Sequence, residues 1–381
     1  MKHEGDTLVA VGPANPTQTE TVQGVVVFDV SEPASPEQTG FYETEFPIHN
    51  AYLQDGVAYL TANDGAKNPA VFVDISGDAI EEVGRWSTVD HDERWRDVYS
   101  SLRTCHDLYV HGDTLYVAYW DAGTWLVDVS DPASPEYVNH FGHYSVEELR
   151  KLSNTEAGRE SFSMPGNAHY VAVNDDASLL ASGAEAWDVD TEDADPGQGG
   201  IDLWDVSDPR SPEKLSFIEP PPTPDGSRDG TWTTSHNFEF RGDRLYTSWY
   251  QGGVKIHDVS DPANPEELAW WRRPDEARFW TAQYATEEAF VAGSMGGQTY
   301  DAGVYTFPNR AGEQADPPEL ATTTVATRTV TAKATETATP TATATETTTG
   351  ESGGGVPGFG ALAALAGVSA AALAAWQRDD D

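Results

Sequence analysis

One phrase recurs along this chain and restricts its fold more than any other feature. It reads GVVVFDVSEPASPEQTGFY from Gly24, AVFVDISGDAIEEVGRW from Ala70, GTWLVDVSDPASPEYVNHF from Gly123, GIDLWDVSDPRSPEKLSFI from Gly200 and GVKIHDVSDPANPEELAWW from Gly253. A sixth copy, GVYTFPNR from Gly303, keeps only the first half. The anchoring aspartates are Asp29, Asp74, Asp128, Asp205 and Asp258, spaced 45, 54, 77 and 53 residues apart. The unit is therefore about 45 residues with insertions, the length of four strands rather than of one solenoid rung.

The third unit shows how such a repeat is built. A first strand over 106–111 passes a Gly-Asp turn to a second over 114–119, and a third follows over 124–129. The Ser-Asp-Pro segment then turns the chain, because Pro132 presets φ and the preceding Asp can bond its own backbone. A more polar fourth strand begins at Glu136. Helical periodicity is confined to a short stretch over 146–152. Four-stranded units repeated around a ring predict an all-β propeller, with six blades, or seven if sequence precedes Met1. His3 to Val11 matches only a turn and a second strand, so the first strand of the first blade is expected before Met1. In the last unit Phe307-Pro308 stands where Val-Asp is expected, which puts its turn in doubt.

The third strand and its turn resemble the LVIVD repeat family of bacterial and archaeal surface propellers, over roughly residues 5–310. The match is fullest at Asp128, Asp205 and Asp258; DVSEP at Asp29 is close, and DISGD at Asp74 lacks the proline.

Charge removes whole classes of partner. Asp and Glu number 63 against 22 Lys and Arg, a formal net charge of −41. Such a surface can neutralise neither a nucleic-acid backbone nor an anionic lipid headgroup. The acids are dispersed, and Lys is scarce. In both respects the chain resembles proteins of salt-loving archaea, whose self-repulsion is screened by salt. Cys105 is the one cysteine, which excludes an intrachain disulfide and a Cys-based zinc cluster.

The C-terminal part differs in kind. The propeller is expected over 1–312, a Thr-rich low-complexity stalk over 313–355 and an anchoring segment over 356–381. Fifteen of residues 321–350 are Thr, a composition that cannot build a core. Residues 359–376 are apolar and uncharged, just long enough to span a bilayer as a helix. Pro357, Gly358 and Phe359 before this span resemble the PGF-type sorting signal cut by archaeosortases. The resemblance implies removal of the span, replacement by a lipid anchor, and a cell-surface address. Arg378 followed by three Asp departs from the family's basic tail. The opening MKHEGDTLVAVG has no apolar export segment, so the true start is expected upstream.

Aligned on their Gly-Asp turns, the units place His49, His106, His169 and His236 in one column at the start of the first strand, with Trp280 in the last unit. In a propeller these strands line the channel. Their starting ends lie on the face that carries the blade connections, and the long insertions 87–103, 144–167, 184–199 and 220–235 fall there. Four imidazoles at a channel mouth can hold Cu, Fe or Zn. They can equally serve as scaffold, each bonding a neighbouring blade. Asn50, Asp107 and Asn237 adjoin three of them. Trp120, Trp249 and Tyr250 end second strands on the same face, as inter-blade core or as a ligand rim. The acidic loop of Asp188, Asp190, Glu192, Asp193 and Asp195 suits Ca²⁺ more weakly, lacking the Gly and terminal Glu of an EF-hand. Cys105 should point away from His106 and be buried. No phosphate loop, nucleophile elbow or His-Glu-X-X-His occurs. The sequence thus predicts a monomeric surface protein without enzymatic activity, binding a protein or glycan. The competing expectation is a metal-dependent surface oxidoreductase using the histidines.

Overall fold

A computed structural model of the chain describes residues 1–15, 21–77, 79–189, 197–297 and 301–310. The expected stalk and anchor fall outside these residues. Among the described residues no helix is long and apolar enough to cross a membrane.

Six antiparallel sheets follow one another along the chain as the blades of a propeller. Blade one is β1 (Lys2–Glu4), β2 (Thr7–Gly12), β3 (Gly24–Asp29) and β4 (Glu37–Glu43). Blade two is β5 (Ile48–Gln54), β6 (Val57–Ala62), β7 (Ala70–Asp74) and β8 (Glu81–Trp86). Blade three is β9 (Asp107–His111), β10 (Thr114–Ala118), β11 (Thr124–Asp128) and β12 (Glu136–Phe141). Blade four is β13 (Ala168–Val173), β14 (Leu179–Ala184), β15 (Ile201–Asp205) and β16 (Glu213–Ile218). Blade five is β17 (Phe238–Arg241), β18 (Arg244–Ser248), β19 (Val254–Asp258) and β20 (Glu266–Trp271). Blade six shows three strands, β21 (Phe279–Tyr284), β22 (Ala289–Ser294) and β23 (Gly303–Pro308).

The first blade corrects the sequence reading. Its first strand is inside the chain: Lys2, His3 and Glu4 pair with Val9, Leu8 and Thr7. Three polar residues carry no apolar alternation, so the strand was invisible to pattern.

Third strands such as β7 and β11 are apolar without alternation because neighbouring blades cover both faces, leaving four of their five residues buried. Fourth strands such as β4 and β12 lie at the rim and stay polar. Between blades two and three, Trp86, Trp95, Trp125 and Phe72 pack in one cluster. Trp125 has no exposed surface, and its Nε1 donates to the Ala122 carbonyl at 2.9 Å. Truncating so large a buried ring costs about 3–5 kcal/mol.

The Asp-Val-Ser turn has a single mechanism. Asp29, Asp74, Asp128, Asp205 and Asp258 each accept the backbone N–H two residues on, at 2.8–2.9 Å. DISGD therefore turns without its proline. A register shift follows at the same point in five blades, between Val27 and Phe28, Phe72 and Val73, Leu126 and Val127, Leu203 and Trp204, and Ile256 and His257. One extra residue in the fourth strand there bends that strand. In blade six Asn309 replaces the turn: its N–H donates to Glu288 O, and its side chain accepts from Arg244 and Tyr246.

First strands pack in sequence around the axis, β5 on β9, β9 on β13, β13 on β17 and β17 on β21. Tyr52 of blade two lies 4.7 Å from the Tyr109 ring of blade three and has the Lys2 ammonium of blade one 5.3 Å from its centroid, so side chains of three successive first strands meet. The insertions between blades fold into α1 (Thr88–His91), two 3-10 turns, α2 (Val146–Leu149) and α3 (Asn154–Glu160). The helix expected over 146–152 is thus one turn. A second helix follows, started by Ser153, whose N–H bonds Glu156 while Glu156 N–H bonds back to its hydroxyl.

Candidate metal centre

Each residue before the histidine column is fastened to the preceding blade. Ile48 N–H donates to Pro13 O, and Cys105 exchanges two hydrogen bonds with the Asn63 side chain. Ala168 exchanges two with the Trp120 backbone, Ser235 Oγ donates to Ala184 O, and Phe279 exchanges two with Tyr250. The column positions are therefore fixed by the ends of neighbouring second strands.

The side chains come together as a row of rings. Centroids are 4.3 Å apart for His49 and His106, 3.9 Å for His106 and His169, and 4.5 Å for His169 and His236. Trp280 continues the row 4.2 Å from His236. His106 Nδ1 lies 3.0 Å from His169 O, and His236 Nδ1 lies 2.6 Å from Trp280 O. A carbonyl only accepts, so both rings carry their proton on Nδ1 and have their lone pair on Nε2. His49 Nδ1 donates likewise to Ala14 O at 3.3 Å. His169 differs: its Nδ1 is buried without a hydrogen-bond partner.

The second tier was not read from the sequence. Tyr119, Ala184 and Trp249 donate their N–H groups to Gly123, Gly200 and Gly253 at 2.9 Å, which makes the following residues, Trp120, Glu185 and Tyr250, equivalent. Glu185 Oε2 stands 3.6 Å from His169 Nε2, and Tyr250 OH donates to Glu185 Oε1. One ligand atom each from His106, His169 and Glu185 lies within 4.8 Å of the others. Among the described residues no other three His, Cys, Asp or Glu side chains bring ligand atoms so close together. Bonds of about 2.0–2.2 Å require these donors to close by roughly 1 Å around an ion. The signal that would have found Glu185 is the alignment of second-strand ends, where it replaces an aromatic.

Electrostatics suit a cation. Burial holds His106 and His169 well below the usual imidazole range, and neighbouring imidazoles push the same way. Burial takes His236 down to about 3, against the Trp280 carbonyl. Neutral imidazoles are ligands without competition from a proton. Burial raises Glu185 to about 7, while Tyr250, Arg228 and Arg278 pull it down.

The other expected residues fall as follows. Trp120 and Tyr250 are buried walls of the centre: Trp120 lies 5.0 Å from His106, and Tyr250 lies 4.9 Å from His236. Trp249 has no exposed surface and bonds Thr247 within the blade interior. Asn50 donates to Asp107, whose carboxyl burial raises to about 7, and Asn237 hydrogen-bonds His236. Cys105 is fully buried, and burial pushes its thiol up, away from thiolate chemistry. Of the acidic loop only Asp188 is described; Asp190, Glu192, Asp193 and Asp195 lie outside the described residues.

Comparison with known proteins bears on the frame. The LVIVD repeat family model matches residues 21–44 and 103–141, which hold the repeat phrase of blades one and three. No curated protein matches the sequence. Among solved structures, a protein from Lactobacillus plantarum aligns over 80% of this chain and 84% of its own, with a TM-score of 0.52 at 11% identity. The Cps50 (Swd1) β-propeller domain of Myceliophteria thermophila aligns over 77% of each chain, with a TM-score of 0.49 at 11% identity. At such identity the Lactobacillus plantarum likeness speaks to fold alone.

Proposed function

We propose that this protein is a cell-surface propeller of a salt-loving archaeon that binds a divalent transition metal at its channel mouth through His106, His169 and Glu185. The observation that carries this reading is the convergence of these three donors, two of them neutral imidazoles. Copper, iron and zinc all accept such a nitrogen and oxygen set. The protein's part is to hold the donors. Blade three presents His106 with its tautomer set by the His169 carbonyl, blade four presents His169 and Glu185, and blade five orients the carboxylate through Tyr250. Bound there, such an ion would supply Lewis-acid or one-electron chemistry.

The test is metal analysis of the full chain. Purified protein, stripped with a chelator and titrated with Zn²⁺, Cu²⁺ and Co²⁺, should take up one ion per chain. Protein that retains no ion and shows no titratable binding would remove the reading. Surface anchoring has its own measurement: mature protein from native membranes should partition with lipid and lack the peptide 359–376.

A second reading, a noncatalytic surface that binds a protein or glycan, is favoured by the placement of the long insertions on one face, where Tyr99 and Trp280 are exposed. Binding to cell-envelope material that is lost in Tyr99→Ala/Trp280→Ala, yet intact in His106→Ala, would support it over the metal centre.

A further inference from the structure

We infer that Asp121 and Glu160, with the amide oxygen of Asn167, form a second cation site, suited to a hard, oxygen-seeking ion such as Ca²⁺. Asp121 follows Trp120 at the end of a second strand, Glu160 closes α3, and Asn167 precedes β13. Asp121 Oδ2, Glu160 Oε1 and Asn167 Oδ1 are all sealed from solvent with no hydrogen-bond partner. Asp121 is 1% exposed and Asn167 is fully buried.

The three belong to one patch. Asn167 N–H donates to Asp121 Oδ1 at 3.1 Å. A Cβ placed on Gly166 would fall 1.7 Å from that same Oδ1 and 3.4 Å from the Tyr144 ring, and the Tyr144 hydroxyl bonds Glu160. The charge that acts on Asp121 is that of another acid, Glu160. A cavity of about 30 Å³, lined by Asp121 and Gly166, adjoins the patch with room for water.

A buried carboxylate beside a second, half-buried one needs a positive partner or a shared proton. A shared proton makes one hydrogen bond and leaves the other oxygens bare. A cation satisfies all three. The donors are oxygens only, two carboxylates and an amide, which is the ligand chemistry of Ca²⁺ rather than of Cu or Zn. The site shares no donor with the histidine centre. Its effect would reach the centre through Asn167, whose amide N–H groups hold Ser161 O at 3.2 Å and Glu185 O at 2.9 Å.

The experiment uses the full chain, stripped of metal and held at constant high ionic strength to screen diffuse attraction to its acidic surface. Thermal melting and calorimetric titration with CaCl₂, and tyrosine-sensitised Tb³⁺ luminescence, should report one site. Glu160→Gln and Asp121→Asn should each weaken it at least tenfold. Without Ca²⁺ both variants should melt no lower than wild type, because the like-charge pair is gone. Should Asp121→Asn not fold, Glu160→Gln at the end of a surface helix decides alone. A wild-type melting temperature indifferent to millimolar Ca²⁺, or equal binding by Glu160→Gln, overturns the site.

Discussion

The two ends of the same blades obey different rules. At one end five blades repeat one device, an exposed Asp that accepts the N–H two residues on, and each copy works alone in water. At the other end copied histidines meet within 3.9–4.5 Å of each other in a row whose last three members are buried, so each is part of its neighbour's environment. Repetition preserves a turn because the turn is local. It makes a site because the ring brings copies together, and substitutions at equivalent positions then give the site its chemistry. Glu185 stands where Trp120 and Tyr250 stand in adjacent blades.

Removing members of the row one at a time should have the largest effect. His106→Ala and His169→Ala should abolish stoichiometric metal uptake, a loss well beyond the roughly 10–100-fold that outer positions cost. His49→Ala and His236→Ala, which flank the donors, should fall within that smaller range. Competition against a chromophoric chelator reads all four. Equal losses in all four variants would mean that the row acts as one ring, and no loss in any would return the histidines to scaffold.

Much of the frame was legible because it rests on local rules. The alternation and turn chemistry of 106–129 placed β9, β10 and β11 within a residue, and aligning the Gly-Asp turns exposed the histidine column. What was hidden lacks a local signature. β1 is three polar residues held only by pairing with β2. Glu185 is one carboxylate among 63 acids and opens an insertion, where spacing carries no information. Asp121, Glu160 and Asn167 come from three segments that only tertiary packing brings together.

Glycines separate the two ends next. In blade five, Gly242 at the local turn has φ +53 and open space where a Cβ would sit. Gly253 at the mouth has φ +96, and a Cβ there would lie 2.0 Å from Trp271 O. Gly242→Ala pays only left-handed backbone strain, about 1–2 kcal/mol. Gly253→Ala adds a collision with a backbone that cannot retreat, and should cost about 3–5 kcal/mol in denaturant unfolding. Similar losses for the two would show that both ends are equally local.

The smallest effect tests whether the mouth trades stability for binding. Burial raises Glu185 from 4.5 to about 7 in the folded protein. Between those values the folded chain holds more protons than the unfolded one, so the group's contribution declines as pH rises from about 4.5 through 7. The full shift corresponds to about 3 kcal/mol, and the 12% exposure of the side chain argues for about 2. Glu185→Gln keeps an acceptor for Tyr250 OH and cannot ionise. Metal-free Glu185→Gln should therefore match wild type at about pH 4 and below and be more stable by about 2 kcal/mol at pH 8.5, while losing metal affinity at neutral and higher pH. Wild-type affinity should in turn rise through pH 7 as the carboxyl ionises, since the imidazoles are already neutral there. Parallel pH–stability curves for the two proteins would place Glu185 among the ordinary acids of the surface, and the mouth would then differ from the turns only in packing.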